Sequence, residues 1–169
     1  MAATDQAQAD VDVLASNTLV RVRSAEDWKA LHAIRRAVLF KPGRHAFEYD
    51  ENHPDDRIES NSLFLLMSAG EAIGVVRLDR HGRIGIVRLV AIMADRQRRG
   101  HGRSLSQLID AEASRVGLTA LRVNAAADAV GYYEKTGWHR SEWDPAELSG
   151  LAAGCVQMEK SLPMGGSAI

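Results

Sequence analysis

One cysteine, four prolines, lysine at only four positions and no long apolar run set the first limits on this 169-residue chain. The lone Cys155 forms no intramolecular disulfide, and without clustered His or Cys partners it does not suggest a structural zinc site. It reads as a small core residue rather than a reactive thiol. The longest uncharged apolar stretches, such as Ser62 to Ala69, are too short to span a bilayer, and the N-terminus lacks the basic start and apolar centre of a signal peptide. A cytoplasmic location without a membrane partner is therefore expected. With 21 basic and 22 acidic residues the formal charge is −1, so no global field draws the chain to nucleic acid. Aromatic residues make up 5% and offer no stacking platform for single strands, so any charge-driven function must be local.

Hydrophobic residues at 46% and charged residues at 25% match a folded domain. Residues 1–17, rich in Ala, Asp and Gln, are expected to be a flexible extension or a loosely docked helix. Residues 18–162 read as one domain and 163–169 as a tail. Thr18 to Arg23 alternates like a strand, and Ser24-Ala25-Glu26-Asp27 reads as an N-cap with an acidic third residue. The helix it opens carries Trp28, Leu31, Ile34 and Val38 on one face, and Pro42-Gly43 closes it. Three β-like runs, Ser62 to Ser68, Ala72 to Asp79 and Arg83 to Met93, are separated by hairpin-length turns, and the third is apolar on both faces, as a central strand is. A helix marked by Leu105, Leu108, Ile109 and Val116 ends at Gly117. Further strands are expected at Thr119 to Asn124, Trp138 to Trp143 and Gly154 to Leu162, with a short helix from Ala126 to Lys135. This order predicts an α+β fold with helices on the faces of a sheet.

The basic cluster Arg96-Gln97-Arg98-Arg99-Gly100-His101-Gly102-Arg103 opens the helix after the third run. A helix N-terminus presents amides without intrahelical acceptors and a partial positive charge. Gly100 and Gly102 let a ligand approach the backbone, and the arginines suit phosphate. The spacing is neither that of a P-loop nor that of a dinucleotide fingerprint.

Gln97-Arg98-Arg99-Gly100-His101-Gly102, between an apolar strand and an amphipathic helix, resembles the Gln/Arg-x-x-Gly-x-Gly/Ala loop of the GCN5-related N-acetyltransferase family. Arg88-Leu89-Val90-Ala91-Ile92 and Tyr133-Glu134-Lys135-Thr136-Gly137-Trp138 resemble family segments in the same order. The resemblance implies a mixed, mostly antiparallel central sheet flanked by helices in three layers. It implies acetyl-CoA as cosubstrate and direct attack of a primary amine on the thioester, the acceptor being a small molecule ahead of a peptide, protein or aminoacyl-tRNA; no metal is expected. It further implies that the backbone of Gln97, Arg98, Arg99, Gly100, His101, Gly102 and Arg103 holds the pyrophosphate. The strand end Ile92, Met93 and Ala94 would pair with pantetheine, with a contact from Asn124, and Tyr133 would be the catalytic proton donor to the departing thiolate. Family members are often homodimers, although no segment here identifies an interface.

The central strand offers Arg88 where many family members carry a glutamate, so the general base is unassigned. This departure motivates a second reading, a non-catalytic acyl-CoA-binding module; nucleic-acid binding by the arginine cluster is a third. Residues 44–59 hold His45, Glu48, Asp50, Glu51, His53, Asp55, Asp56 and Glu59, and the resemblance places them near the acceptor. They read as a solvated acidic loop or as groups that hold and relay a proton from an amine, and their spacing matches no standard metal pattern. Arg35, Arg36 and Arg77 read either as surface charges or as a seat for an acceptor carboxylate.

Overall fold

The computed structural model describes residues 2–43, 45 and 47–164. Its elements are α1 (Ala2–Ala15), β1 (Thr18–Arg21), α2 (Ala25–Val38), β2 (Asn61–Ser68), β3 (Glu71–His81), β4 (Ile84–Ile92), α3 (His101–Arg115), β5 (Ala120–Ala125), α4 (Val130–Lys135), β6 (His139–Arg140) and β7 (Val156–Ser161), with short 3-10 turns between several of them. The strands form one mixed seven-stranded sheet in the order β1-β2-β3-β4-β5-β7-β6, the α+β arrangement expected from the sequence. Among the described residues no helix is long and apolar enough to cross a membrane. Arg44, at the start of the acidic segment, and residues 165–169 of the C-terminal tail lie outside the described residues.

The chain divides into two compact units, Met1–Arg77 with Leu89–Ile109, and Leu78–Arg88 with Asp110–Ile169. In the first unit the Ser24 hydroxyl accepts from the Asp27 amide at 3.1 Å, and the Asp27 carboxylate accepts from the Ser24 amide at 3.0 Å, closing the capping box read from the sequence. The apolar stripe of α2 puts Leu31 and Ile34 into a core with Val22, Leu63, Leu65, Val75 and Ala91, while Trp28, Met67 and Met93 pack around it. Strand β1 pairs antiparallel with β2, from Thr18 opposite Met67 to Arg21 opposite Phe64. The turn between β2 and β3 is Ala69-Gly70, both at positive φ, as a tight two-residue hairpin requires.

In the second unit β4 runs parallel to β5, from Ile84 opposite Ala120 to Val87 opposite Val123. Parallel neighbours need a long crossover, which α3 supplies. Strand β7 pairs antiparallel with β5 and with β6. Leu78, Leu118, Leu121, Val123 and Met158 are buried here. A Cβ on Gly85 would stand within 2.9 Å of leucine methyls from Leu78, Leu118 and Leu121, so these leucines must shift to admit any side chain there.

Several boundaries differ from the sequence reading. The expected strand from Trp138 to Trp143 shrinks to His139–Arg140, and residues 127–129 form a 3-10 turn ahead of α4. The N-terminal segment is helical from Ala2 to Ala15.

Candidate active site

The first unit carries the basic loop. Strand β4 ends at Ile92, a 3-10 turn spans Ala94–Arg96, and α3 begins at His101. The Gln97 side-chain amide donates to the Ile92 carbonyl at 2.8 Å and ties the loop back to the strand. Arg98 at φ 61 and Gly100 at φ 88 both adopt the left-handed conformation, turning the chain sharply into the helix. The Ser104 amide donates to the Gly100 carbonyl at 3.1 Å in the first turn of α3, and the Gln97 amide donates to the Ala94 carbonyl at 3.4 Å.

The arginines divide into two groups. Arg96 is held by Glu71 at 2.5 Å and by Asp95 at 3.7 Å. Arg98, Arg99 and Arg103 are exposed and form no ion pair among the described residues. They leave a local excess of positive charge at a helix N-terminus, a setting that favours a bound anion. His101 is buried, and burial together with the charges of Arg96 and Arg99 lowers its pKa, so the ring stays neutral at neutral pH.

The Met93 amide donates to the Ile73 carbonyl at 2.8 Å and is committed to β3. By strand alternation the Ile92 amide faces away from β3, while the Ile92 carbonyl is taken by Gln97. Ala94 is exposed at the start of its 3-10 turn. A cleft of about 240 Å³ in this unit is lined by α2 at Ala30, Ala33 and Ile34, by Ala72, Ile73 and Met93, and by the Glu71–Arg96 pair. Its apolar walls and already paired arginine make it no seat for phosphate.

Also in the first unit, Arg35 and Arg77 are not surface charges. They are 1% and 5% exposed and both donate to Asp56, Arg35 at 2.7 and 3.2 Å and Arg77 at 3.0 Å. Burial alone would raise the Asp56 pKa, but the two guanidinium groups hold the carboxyl below its usual range. The Tyr49 hydroxyl lies 2.6 Å from His32 Nδ1 and accepts from Arg35 at 3.4 Å. His32 stacks on Trp28, and Tyr49 stacks on Phe40. His53 caps the 3-10 turn Pro54–Arg57 by accepting from the Asp55 amide at 3.3 Å. The acidic segment is therefore anchored from beneath by a buried charge network, while Glu48 and Asp50 stay exposed. Among the described residues no group of three or more His, Cys, Asp or Glu is arranged to hold a metal ion.

The second unit holds Tyr133 and Asn124. Tyr133 is buried in α4, edge-on to Trp138 with ring centroids 5.4 Å apart, whereas Tyr132 is half-buried. Burial, with smaller contributions from Tyr132 and Cys155, pushes the Tyr133 phenol well above its usual value. It is protonated at neutral pH, which suits a proton donor and excludes a base. Asn124 donates weakly to Glu147 at 3.4 Å, and its carbonyl oxygen accepts from Gln157 at 3.0 Å.

Sequence reasoning missed the setting of Arg88. Its guanidinium forms a bidentate pair with Glu147 at 2.8 and 2.9 Å and donates through Nε to Asp79 at 2.8 Å. Arg88 holds Glu147 below its ordinary pKa. The next residue, Leu89, has φ 51, a strained conformation for a branched side chain within a strand.

Residues 44–162 match the sequence profile described as the Acetyltransferase (GNAT) domain. A search of curated proteins finds no match. Among solved structures the chain is similar to the ribosomal-protein-S18-alanine N-acetyltransferase from Escherichia coli, at 20% identity and a TM-score of 0.67 over 90% of this chain and 98% of that one. It is similar to Tetrahymena GCN5 at 14% identity and a TM-score of 0.67, covering 89% and 98% of the two chains. A spermidine N-acetyltransferase mutant from Vibrio cholerae aligns at 18% identity and a TM-score of 0.66, covering 88% and 95%. At these identities the likeness is one of fold.

Proposed function

The chain belongs to the GNAT acetyltransferase family, and from that premise we propose that it transfers an acetyl group from acetyl-CoA to a primary amine, the acceptor being a small molecule. The observation that carries this reading is the loop from Gln97 to Arg103. It combines left-handed turns at Arg98 and Gly100 with three exposed arginines that have no carboxylate partner among the described residues, at the start of α3. A diphosphate needs clustered donors and positive charge, and this segment offers both.

Acetyl-CoA supplies a thioester-activated acetyl group. In this reading the backbone from Arg98 to Arg103 binds the diphosphate, the Gln97 amide being taken by the Ala94 carbonyl, and Arg98, Arg99 and Arg103 neutralise it. The outward-facing Ile92 amide, with Met93 and Ala94 at the strand end, aligns the pantetheine arm. Tyr133 keeps its proton because burial disfavours the phenolate, and it donates that proton to a thiolate leaving group. Asn124, whose side chain bonds to Glu147 and Gln157, would give pantetheine its remaining hydrogen-bonding capacity.

Arg88, paired with Asp79 of β3 and with Glu147 of a 3-10 turn, stands on β4 in place of a carboxylate base, which supports the alternative of an acyl-CoA-binding module without turnover. One experiment separates the two. Purified protein is incubated with acetyl-CoA and a panel of polyamines, amino acids and aminoglycosides, with thiol release and acceptor mass as readouts. An acetylated acceptor with matching thiol release supports transfer. Coenzyme binding with no product across the panel supports the module.

A further inference from the structure

Helix α1 commits little of its surface to the fold. Residues 3–9 face solvent, and Val11 and Val13 are 57% and 43% exposed. Its attachment is concentrated at the C-terminal end. Leu14 Cδ1 stands 2.8 Å from the position a Cβ on Gly100 would take, so the leucine occupies the side-chain side of that otherwise exposed glycine. Three residues later, Asn17 is buried, and its side-chain amide donates to His101 Nδ1 at 3.0 Å and to Ser104 Oγ at 3.2 Å. The Asn17 carbonyl oxygen is buried without a hydrogen-bond partner.

We infer that α1 is a strap across the basic loop, with Leu14 occupying the face of Gly100 that a diphosphate oxygen requires, so that coenzyme binding displaces the helix. This rests on the coenzyme reading of the loop. Gly100 lies at φ 88 and has no Cβ, which exposes its backbone to close approach. A leucine methyl there is chemically wrong for an anion. Hydrocarbon and phosphate cannot share that volume. The strap is also built to let go: its exposed valines lose nothing on release, and the unpaired Asn17 oxygen regains a partner in water. Apparent coenzyme affinity is then the intrinsic affinity scaled by the fraction of molecules with the strap open.

The test is calorimetric titration of coenzyme A into the wild-type chain, Leu14→Ala and Asn17→Ala, each first checked for a native circular-dichroism spectrum. Hydrogen exchange of residues 2–15 is followed with and without coenzyme A. Truncating the half-buried Leu14 should tighten coenzyme A binding by about fivefold to tenfold. Asn17→Ala should shift affinity the same way, and coenzyme A should speed exchange in wild-type α1. A wild-type chain that binds nothing while Leu14→Ala binds would also support the strap. Equal affinity in wild type and Leu14→Ala overturns it and leaves the coenzyme reading intact. So does weaker binding by Leu14→Ala, which would make Leu14 part of the coenzyme's wall. If no form binds, the coenzyme reading and the strap fall together.

Discussion

Replacing Asp56 with asparagine keeps the shape of the side chain and removes the charge that Arg35 and Arg77 share. The carboxylate accepts three hydrogen bonds, at 2.7 and 3.2 Å from Arg35 and 3.0 Å from Arg77. The Arg35 and Asp56 side chains are 1% and 2% exposed, so water cannot take over the lost interaction. Stranding a buried charge in this way costs about 3–5 kcal/mol. Total stability for a domain is about 5–15 kcal/mol. At roughly 2–4 °C per kcal/mol for a chain of this size, Asp56→Asn should lower Tm by roughly 6–20 °C. Urea denaturation at neutral pH measures the difference directly. The pH dependence supplies a second check. Because Arg35 and Arg77 hold the Asp56 carboxyl below its usual range, its stabilisation is complete above the unfolded value of about 3.9 and is lost as pH falls through the lower folded value. The gap between wild type and variant should therefore narrow in acid below about pH 4. A variant within about 1 kcal/mol of wild type at neutral pH would refute the reasoning, as would a gap that does not change on acidification.

Tyr133→Phe should lower kcat by about a hundredfold while leaving coenzyme affinity nearly unchanged, measured by steady-state kinetics beside calorimetry; unchanged turnover would remove the phenol from proton donation. Since burial raises its pKa, Tyr133 should also impose no alkaline fall in kcat below about pH 10, the value of a free phenol. Gly100→Val puts a β-branched residue at φ 88 and should abolish coenzyme A binding in a folded protein, so normal affinity in the variant would contradict the loop assignment. Exchanging both Arg98 and Arg99 for alanine should weaken coenzyme A binding by about fivefold to tenfold, a modest loss because both side chains are exposed, and should flatten its salt dependence. Gly85→Ala should cost about 1–3 kcal/mol in urea melts, because its methyl meets three leucine side chains in the core of its unit.

The features legible in the sequence were those encoded by near neighbours. Ser24 and Asp27 announced the start of α2, the stripe through Leu31 and Ile34 announced its buried face, and glycines marked the hairpins on either side of β3. The two-sided apolar pattern of Ile84 to Ile92 placed β4 in the middle of the sheet, fourth of seven strands. What stayed hidden depended on partners far apart in the chain. Arg35 and Arg77 read as surface charges or as a seat for an acceptor carboxylate because arginine is seldom buried, and nothing local reveals that each pairs with Asp56, 21 residues away. Arg96 read as one more phosphate ligand until Glu71, 25 residues away, was found to hold it. The pairing of Arg88 with Glu147 spans 59 residues and depends on a 3-10 turn with no periodic signature. Residues 1–17 read as a flexible extension or a loosely docked helix because they hold few large apolar side chains, yet Leu14 and Asn17 suffice to bring the end of α1 onto the basic loop.

The most direct test of the account is titration of acetyl-CoA into the purified wild-type chain at low and at high salt. The account predicts saturable one-site binding that weakens as salt screens Arg98, Arg99 and Arg103 and that is lost in Gly100→Val. Absence of heat and of any competing ligand effect in both the wild-type chain and Leu14→Ala, each shown to be folded, would contradict it.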